Sequence, residues 1–507
     1  MTVKIFLTGA TGAMGIPILE QLLQNDQFHI RILVNPTPLD LKIAARYQDN
    51  PRVEAYNGDL RVYEDVKRGV DGADIVLHVG GIVSPMADYH PKLTMSVNYG
   101  STLHMLRAIQ AQPDPQRVKF VFISSVVAFG DRLPPIHWGR TGDPVKPSIN
   151  DYYALSKVAS ERAIIESGLT NWVILRQTGL LSVKTARVMD GIIFHNCLNN
   201  PLEYVSDRDS AVLIRRICEN APDHFWGRVY NIGGGPSCRM SFYELFKAML
   251  SRLGIDDLSQ VLETKWFALR NFHGVYFLDS DELEQMFHFR SDSMDYFFDI
   301  YIKELGPLGK AAKLMNRFTL TKMLLTKILY NRFKKLVYSE HGTMRYIEDK
   351  NEECINVLFT SREKWDAIPD WEDFPLFTDW QNVIQIDHGY DETKPESALT
   401  LEDMKSAAEF RGGRCLSDTM AVGDMTTKLT WQCAFGHTFA ASPKLILHAG
   451  YWCPICENHS WNYQAIAKVN PFFAQVWRPL HDEDELPHEY SIKVTPEEIQ
   501  AEFGANP

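Results

Sequence analysis

The chain has 507 residues, 45% of them hydrophobic and 23% charged, with a formal net charge of −12. Two or three domains are expected from that length, and the composition is that of an ordinary globular protein. The acidic balance argues against nucleic acid as a main ligand, because phosphate binding needs local positive charge.

In chain order, short apolar runs at Lys4–Thr8, Ile30–Val34, Ile75–Val79, Lys119–Ser124, Trp172–Leu175 and Val229–Ile232 predict strands. Helical patterns such as Ile16–Gln24 and Asn98–Ala111 lie between them, the alternation of βαβ units and a parallel sheet. SFYELFKAMLSRLG and HGVYFLDS, within 241–300, predict further helix and strand forming a substrate-side lobe. Residues 310–337 interleave Lys310, Lys313, Arg317, Lys322, Lys327, Arg332, Lys334 and Lys335 with Leu314, Phe318, Leu325, Ile328 and Phe333, a basic amphipathic helix. Residues 360–400, rich in Trp, Asp and Pro, read as a connector, and a small cysteine-containing module follows at 401–460. The start lacks the pattern of a signal peptide, and no run reaches the roughly 20 apolar residues of a membrane span. The eight cysteines do not form a secreted disulfide framework, so a reducing cytoplasm is expected.

Thr8-Gly9-Ala10-Thr11-Gly12-Ala13-Met14-Gly15 follows the first strand and opens a helix. Gly9 suits a tight turn, Gly12 close approach to a pyrophosphate, and Gly15 helix–strand packing; the helix N-terminus offers free N–H groups. This predicts an α/β fold with a Rossmann-type doubly wound parallel sheet binding NAD or NADP. The second strand ends at Val34-Asn35, where an acid would hold a ribose diol; its absence tips the expectation towards NADP.

Several segments in order resemble the extended short-chain dehydrogenase/reductase superfamily, which contains NAD-dependent epimerases and dehydratases. They are TGATGAMG, Gly58-Asp59-Leu60, His78-Val79-Gly80-Gly81, Val97-Asn98-Tyr99-Gly100-Ser101 and Asn231-Ile232-Gly233-Gly234-Gly235. The resemblance covers residues 3 to about 250. It implies cofactor contacts by Gly9, Thr11, Gly12, Ala13, Met14, Gly15, Asn35, Asp59, Leu60, His78, Val79, Gly80 and Asn98.

Tyr153 has Lys157 four residues on, on one helix face. An ammonium there favours the phenolate and brings the phenol towards working pH. By resemblance, Lys157 also holds the nicotinamide ribose. Ser124-Ser125-Val126-Val127-Ala128-Phe129-Gly130 resembles the family's serine-rich strand end; Ser125 fits the catalytic serine best, with Ser124 the alternative. The expected chemistry is hydride exchange between an alcohol and a carbonyl, with Tyr153 as general acid/base. Leu175-Arg176-Gln177-Thr178-Gly179-Leu180 departs from the pattern of sugar-nucleotide enzymes, which favours a less polar small-molecule substrate. His195, Asn196 and Tyr204 are candidates to border its cleft, with core or surface roles as the alternative.

Near the C-terminus, Cys433, His437, Cys453 and Cys456 are spaced as four ligands of a closed, structural Zn²⁺ site. Metal binding would supply much of such a small module's stability. A redox reading of Cys453-Pro454-Ile455-Cys456 leaves Cys433 and His437 unexplained. The stretch from Leu401 through Arg411-Gly412-Gly413-Arg414-Cys415-Leu416-Ser417 to Cys456 resembles a zinc-ribbon, treble-clef-like family, with Cys415 outside the ligand set.

The expected organisation is a dehydrogenase-like domain with substrate lobe at 1–300, a basic helix and connector at 301–400, a zinc-ribbon-like module at 401–460 and a tail at 461–507. Two alternatives to the oxidoreductase stand: an epimerase/dehydratase that returns the hydride to its substrate, and an NAD(P)-binding sensor whose zinc module recruits a protein. A homodimer is a further expectation. Helix 310–337 either packs on the domain with its lysines solvated, the preferred reading, or lies peripherally on an anionic membrane.

Overall fold

The structure is a computed structural model that describes residues 2–186, 190–315, 319–483 and 485–504; the side chains of Ala186 and of 307–320 are outside the description. Seven parallel strands form the central sheet: β1 (Val3–Thr8), β2 (Phe28–Val34), β3 (Val53–Asn57), β4 (Ile75–His78), β5 (Lys119–Ser125), β6 (Trp172–Gln177) and β7 (Arg228–Ile232). Their spatial order is β3-β2-β1-β4-β5-β6-β7. The order reverses between β1 and β4, opening a crevice outside the carboxyl ends of the strands, where open α/β sheets bind ligands. This is the expected doubly wound fold.

The strands are near-continuous apolar runs because both sheet faces are covered. Ile5, Leu7, Ile30, Ile32, Val121 and Ile123 pack on one side, against helices α1 (Gly15–Leu22) and α5 (Asp207–Asn220). Phe6, Phe120, Phe122 and Ile174 face the other, covered by α2 (Tyr63–Val70), α3 (Ser101–Gln110) and α4 (Tyr152–Ile165). Strand β3 was not among the predicted elements. It lies at the sheet edge with only Tyr56 buried, so it lacks an apolar run.

Helices α6 (Met294–Met315) and α7 (Thr319–Val337) follow the last strand of the sheet. In α7, Leu325 and Val337 are buried, while Met323, Leu324 and Ile328 are 63%, 52% and 51% exposed. Of the predicted basic pattern, Arg317 and Phe318, and the side chains of Lys310, Lys313 and Leu314, lie outside the described residues. Residues 360–400 strap across the molecule. Trp365 and Trp371 donate their indole N–H to the carbonyls of Lys265 and Leu262, and the Trp380 carbonyl accepts from His137 and Trp138.

The C-terminal part is built on the antiparallel strands β8 (Leu429–Gln432) and β9 (Thr438–Ala441) and the helices α8 (Tyr463–Val469), α9 (Pro471–Trp477) and α10 (Pro496–Phe503). It does not stand apart. Trp431, Tyr451, Trp461 and Phe503 share one apolar core with Phe120 and Leu155, and together they enclose α4, eleven of whose fourteen residues are buried.

Candidate active site and metal centre

The glycine turn sits where β1 meets α1, at the crevice. Gly9 has φ +70°, and a Cβ there would lie 2.6 Å from Gly80 Cα; a Cβ on Gly15 would lie 1.9 Å from the Gly9 carbonyl oxygen. These two glycines are dictated by packing. A Cβ on Gly12 would meet only the Gly9 carbonyl oxygen, at 3.1 Å, so its other side is open. That open cradle at a helix N-terminus fits a pyrophosphate.

His78 and Asn98, read as cofactor contacts, are nearly inaccessible and work behind the crevice. The Thr8 hydroxyl accepts from the backbone N–H groups of Val79 and Gly80, which leaves its proton for His78 Nδ1 at 2.9 Å. His78 Nε2 then carries the hydrogen and donates to Ser101 Oγ at 3.1 Å. Burial holds this imidazole neutral, with its pKa drawn down to about 3. Asn98 accepts from Ile82 N–H at 2.8 Å and donates to the Ile82 carbonyl and to Ser156 Oγ, tying the loop after β4 to α4. Asp59 is held by Arg61, Oδ2 to Nη2 at 2.6 Å, and Asn35 is exposed just past β2.

The Asp151 carboxylate caps α4 by accepting from Ala154 N–H, which puts Tyr153 in the first turn and Lys157 one turn on. Extended backbone at Ser125 ends β5 beside them. Successive strand residues point to opposite sides. Ser124 accordingly reaches Glu161, while Ser125 faces Tyr153. Lys157 donates to the Ile123 carbonyl at 2.7 Å, and its Nζ lies 5.8 Å from the Tyr153 ring centre. Ser125, Tyr153 and Lys157 thus converge at the carboxyl end of β5.

The expected lowering of the Tyr153 pKa is absent here. Burial pushes the phenol up to about 12, against the opposing hydrogen bond with Ser125. The Lys157 ammonium is turned to the Ile123 carbonyl, and burial draws it down to about 8 against the pull of Glu161.

A cavity of about 510 Å³ adjoins the start of α4. His195, Asn196 and Tyr204, the candidates for the cleft border, all line it, together with Asp88, Asp151 and His273, which sequence reasoning did not single out. His195 is neutral, drawn down by burial to about 4, and donates Nε2–H to the His341 carbonyl. Asp151 is pushed up to about 7 by burial and by neighbouring Asp88, whose Oδ2 is buried and without a hydrogen-bond partner among the described residues. Nothing in the local sequence marks Asp88 or His273, because loops distant in the chain bring them to one wall.

Cys433, His437, Cys453 and Cys456 place their ligand atoms within 4.8 Å of one another. His437 Nδ1 lies 3.5, 3.7 and 3.3 Å from the sulfurs of Cys433, Cys453 and Cys456, and the Cys433 and Cys456 sulfurs are 3.9 Å apart. A tetrahedron with Zn–S and Zn–N bonds of ordinary length has edges of about 3.8 Å and about 3.5 Å. The donor set therefore fits a four-coordinate ion. Gly436, with φ +83°, turns the chain so that His437 can reach back to Cys433.

Parts of this chain are similar to known enzymes. D-erythronate dehydrogenase of Haemophilus influenzae is 28% identical over 132 residues, which cover 26% of this chain and 40% of the relative. UDP-glucose 4-epimerase of Rickettsia bellii is 29% identical over 111 residues, covering 20% and 32%. This chain therefore spans less than half of either relative. A dTDP-glucose 4,6-dehydratase from Streptomyces venezuelae, solved with NAD, superposes with a TM-score of 0.48 at 20% identity, over 60% of this chain and 97% of its own. Residues 5–233 match the NAD dependent epimerase/dehydratase family.

Proposed function

We propose that the dehydrogenase-like region is an NAD-dependent oxidoreductase that interconverts an alcohol and a carbonyl on an uncharged, hydroxyl-bearing small molecule. The observation that carries this is the convergence of Ser125, Tyr153 and Lys157 at the carboxyl end of β5, on the same side of the sheet as the glycine turn after β1, with Asp151 at the start of the same helix lining the cavity. NAD, when bound, supplies the hydride chemistry. Ser125 orients the substrate oxygen, and Tyr153 holds or releases its proton. Lys157 donates to one carbonyl among the described residues, so it can turn to a ribose hydroxyl and act on the phenol from there. NAD is preferred over NADP because residues 5–233 match an NAD-dependent family while Asn35 offers no charge to a 2′-phosphate.

The substrate class follows from the cavity wall. Among the described residues no Lys or Arg lines the cavity to pair with a diphosphate, whereas unpartnered Asp88 Oδ2 can accept from a hydroxyl. This favours the oxidoreductase reading over an epimerase of nucleotide sugars. The test is a screen of neutral secondary alcohols with the full chain and NAD, read by reduced-nicotinamide absorbance. Tyr153→Phe is expected to bind NAD and lose turnover; turnover equal to wild type overturns the reading. The Cys/His cluster is read as a structural zinc site, checked by metal content: one zinc per chain in the wild type and none in Cys456→Ser.

A second reading concerns α7, where Met323, Leu324 and Ile328 remain exposed beside Lys327, Arg332, Lys334 and Lys335. No acidic residue interrupts 319–337. That surface suits peripheral contact with an anionic membrane, and among the described residues no helix is long and apolar enough to cross one.

A further inference from the structure

The metal-binding module grips the helix that carries Tyr153 and Lys157. Arg162 pairs with Glu457 at 2.6 Å and donates to the Trp452 carbonyl. Ser442 donates its N–H and hydroxyl to Glu166, just past the end of α4, and Tyr152 OH accepts from Lys493 N–H. One contact reaches further inward. Tyr451, two residues before Cys453, holds its hydroxyl 3.0 Å from both the Val158 carbonyl and Glu161 Oε2, which share its one proton.

Glu161 lies one helical turn beyond Lys157 and is fully buried. It pairs with buried Arg176 of β6 through Nη2 at 2.8 Å and Nε at 3.1 Å, and Arg176 also donates to the Ala449 carbonyl of the module at 3.1 Å. On its inner side Glu161 accepts from Ser124, the neighbour of Ser125 in β5. One buried carboxylate therefore joins the end of β5, the turn of α4 that holds Lys157, strand β6 and the loop leading to the metal ligands. An ion pair this deep holds its geometry only if its remaining hydrogen-bonding capacity is met. Two of the groups that meet it come from the module.

We propose that Tyr451 is a positioning residue for the Ser125–Tyr153–Lys157 site, acting through the Glu161–Arg176 pair, so that the metal module sets where Lys157 stands. This rests on the reading of Lys157 as a cofactor-holding group. The module is then a working part of the active site although it contributes no group to the crevice.

The test uses the full chain with NAD as the probe, its dissociation constant measured by fluorescence titration and folding checked by the denaturation midpoint. Lys157→Met is expected to weaken NAD binding. Tyr451→Phe, which keeps the ring, is expected to weaken it about fivefold, the size of a coupling of about 1 kcal/mol. In the Lys157→Met background the same change should have no further effect, because the route through Lys157 is already cut. Ser442→Ala removes the hydroxyl hydrogen bond to Glu166, another module contact at the far end of α4 from Tyr153, and should leave NAD binding unchanged. If Tyr451→Phe lowers only stability, or weakens NAD equally in both backgrounds, or matches Ser442→Ala, the positioning role is overturned. Unaltered NAD binding in Lys157→Met overturns the underlying reading of the site itself, a different result from failure of the Tyr451 arm alone.

Discussion

Replacing Glu161 with Gln would leave Arg176 buried without its counter-charge. Glu161 and Arg176 are 0% and 1% exposed, and neither can turn to water. Removing one member of such a pair costs about 3–5 kcal/mol, since the remaining charge keeps its desolvation penalty and loses its compensation. Arg176→Gln strands Glu161 similarly, although Ser124 and Tyr451 still donate to it, which puts the expected loss at the lower end of that range. The double variant buries two neutral amides in place of two charges. It should cost less than the sum of the single changes, by about 2 kcal/mol or more. The assay is denaturant unfolding followed by tryptophan fluorescence, comparing midpoints at constant slope. Trp172, buried at the start of β6, reports on the strand that carries Arg176. Additivity within about 0.5 kcal/mol would refute the claim that these charges act as one buried unit.

Three other outcomes are expected. Gly15→Ala drives a Cβ into the backbone of Gly9 and should cost about 3 kcal/mol, the upper part of the overpacking range, whereas Gly12→Ala should stay near wild-type stability and lose NAD affinity; equal stability of all three proteins contradicts the assignment. His78 takes up a proton at pH 6.5 when unfolded but only near about 3 when folded, so its contribution is intact above pH 6.5 and is lost as pH falls through that window; a stability curve flat from pH 6.5 down to 3 would disprove this. The full chain should co-sediment with vesicles containing phosphatidylserine, less so as salt rises and not at all in a Lys327→Glu, Lys335→Glu variant; absence of binding at low salt sinks the membrane reading of α7.

Much of this was legible in the chain itself. A run such as Lys119–Ser125 announces a doubly covered parallel strand because its apolar character is continuous, and Gly9 and Gly15 announce a turn in which no Cβ fits. The cluster of Cys433, His437, Cys453 and Cys456 was equally readable, since two short local motifs supply it and only their meeting needed the fold. Strand β3 escaped because an edge strand buries one residue and shows no run. Lys157 and Glu161, four apart on a helix, have the spacing of a solvated surface pair. Only the tertiary structure reveals that both are buried, that Arg176 answers Glu161 from a strand, and that Tyr451 closes the group from nearly 300 residues away. Burial and long-range pairing are properties of packed layers, and no local pattern of residue types encodes which distant segment will come to lie against a given face. The sequence by itself therefore determined the sheet, the glycine turn, the Tyr153–Lys157 spacing and the four residues of the Cys/His cluster. The packing of the C-terminal module on α4 decided what surrounds Glu161 and Arg176, one helical turn beyond Lys157.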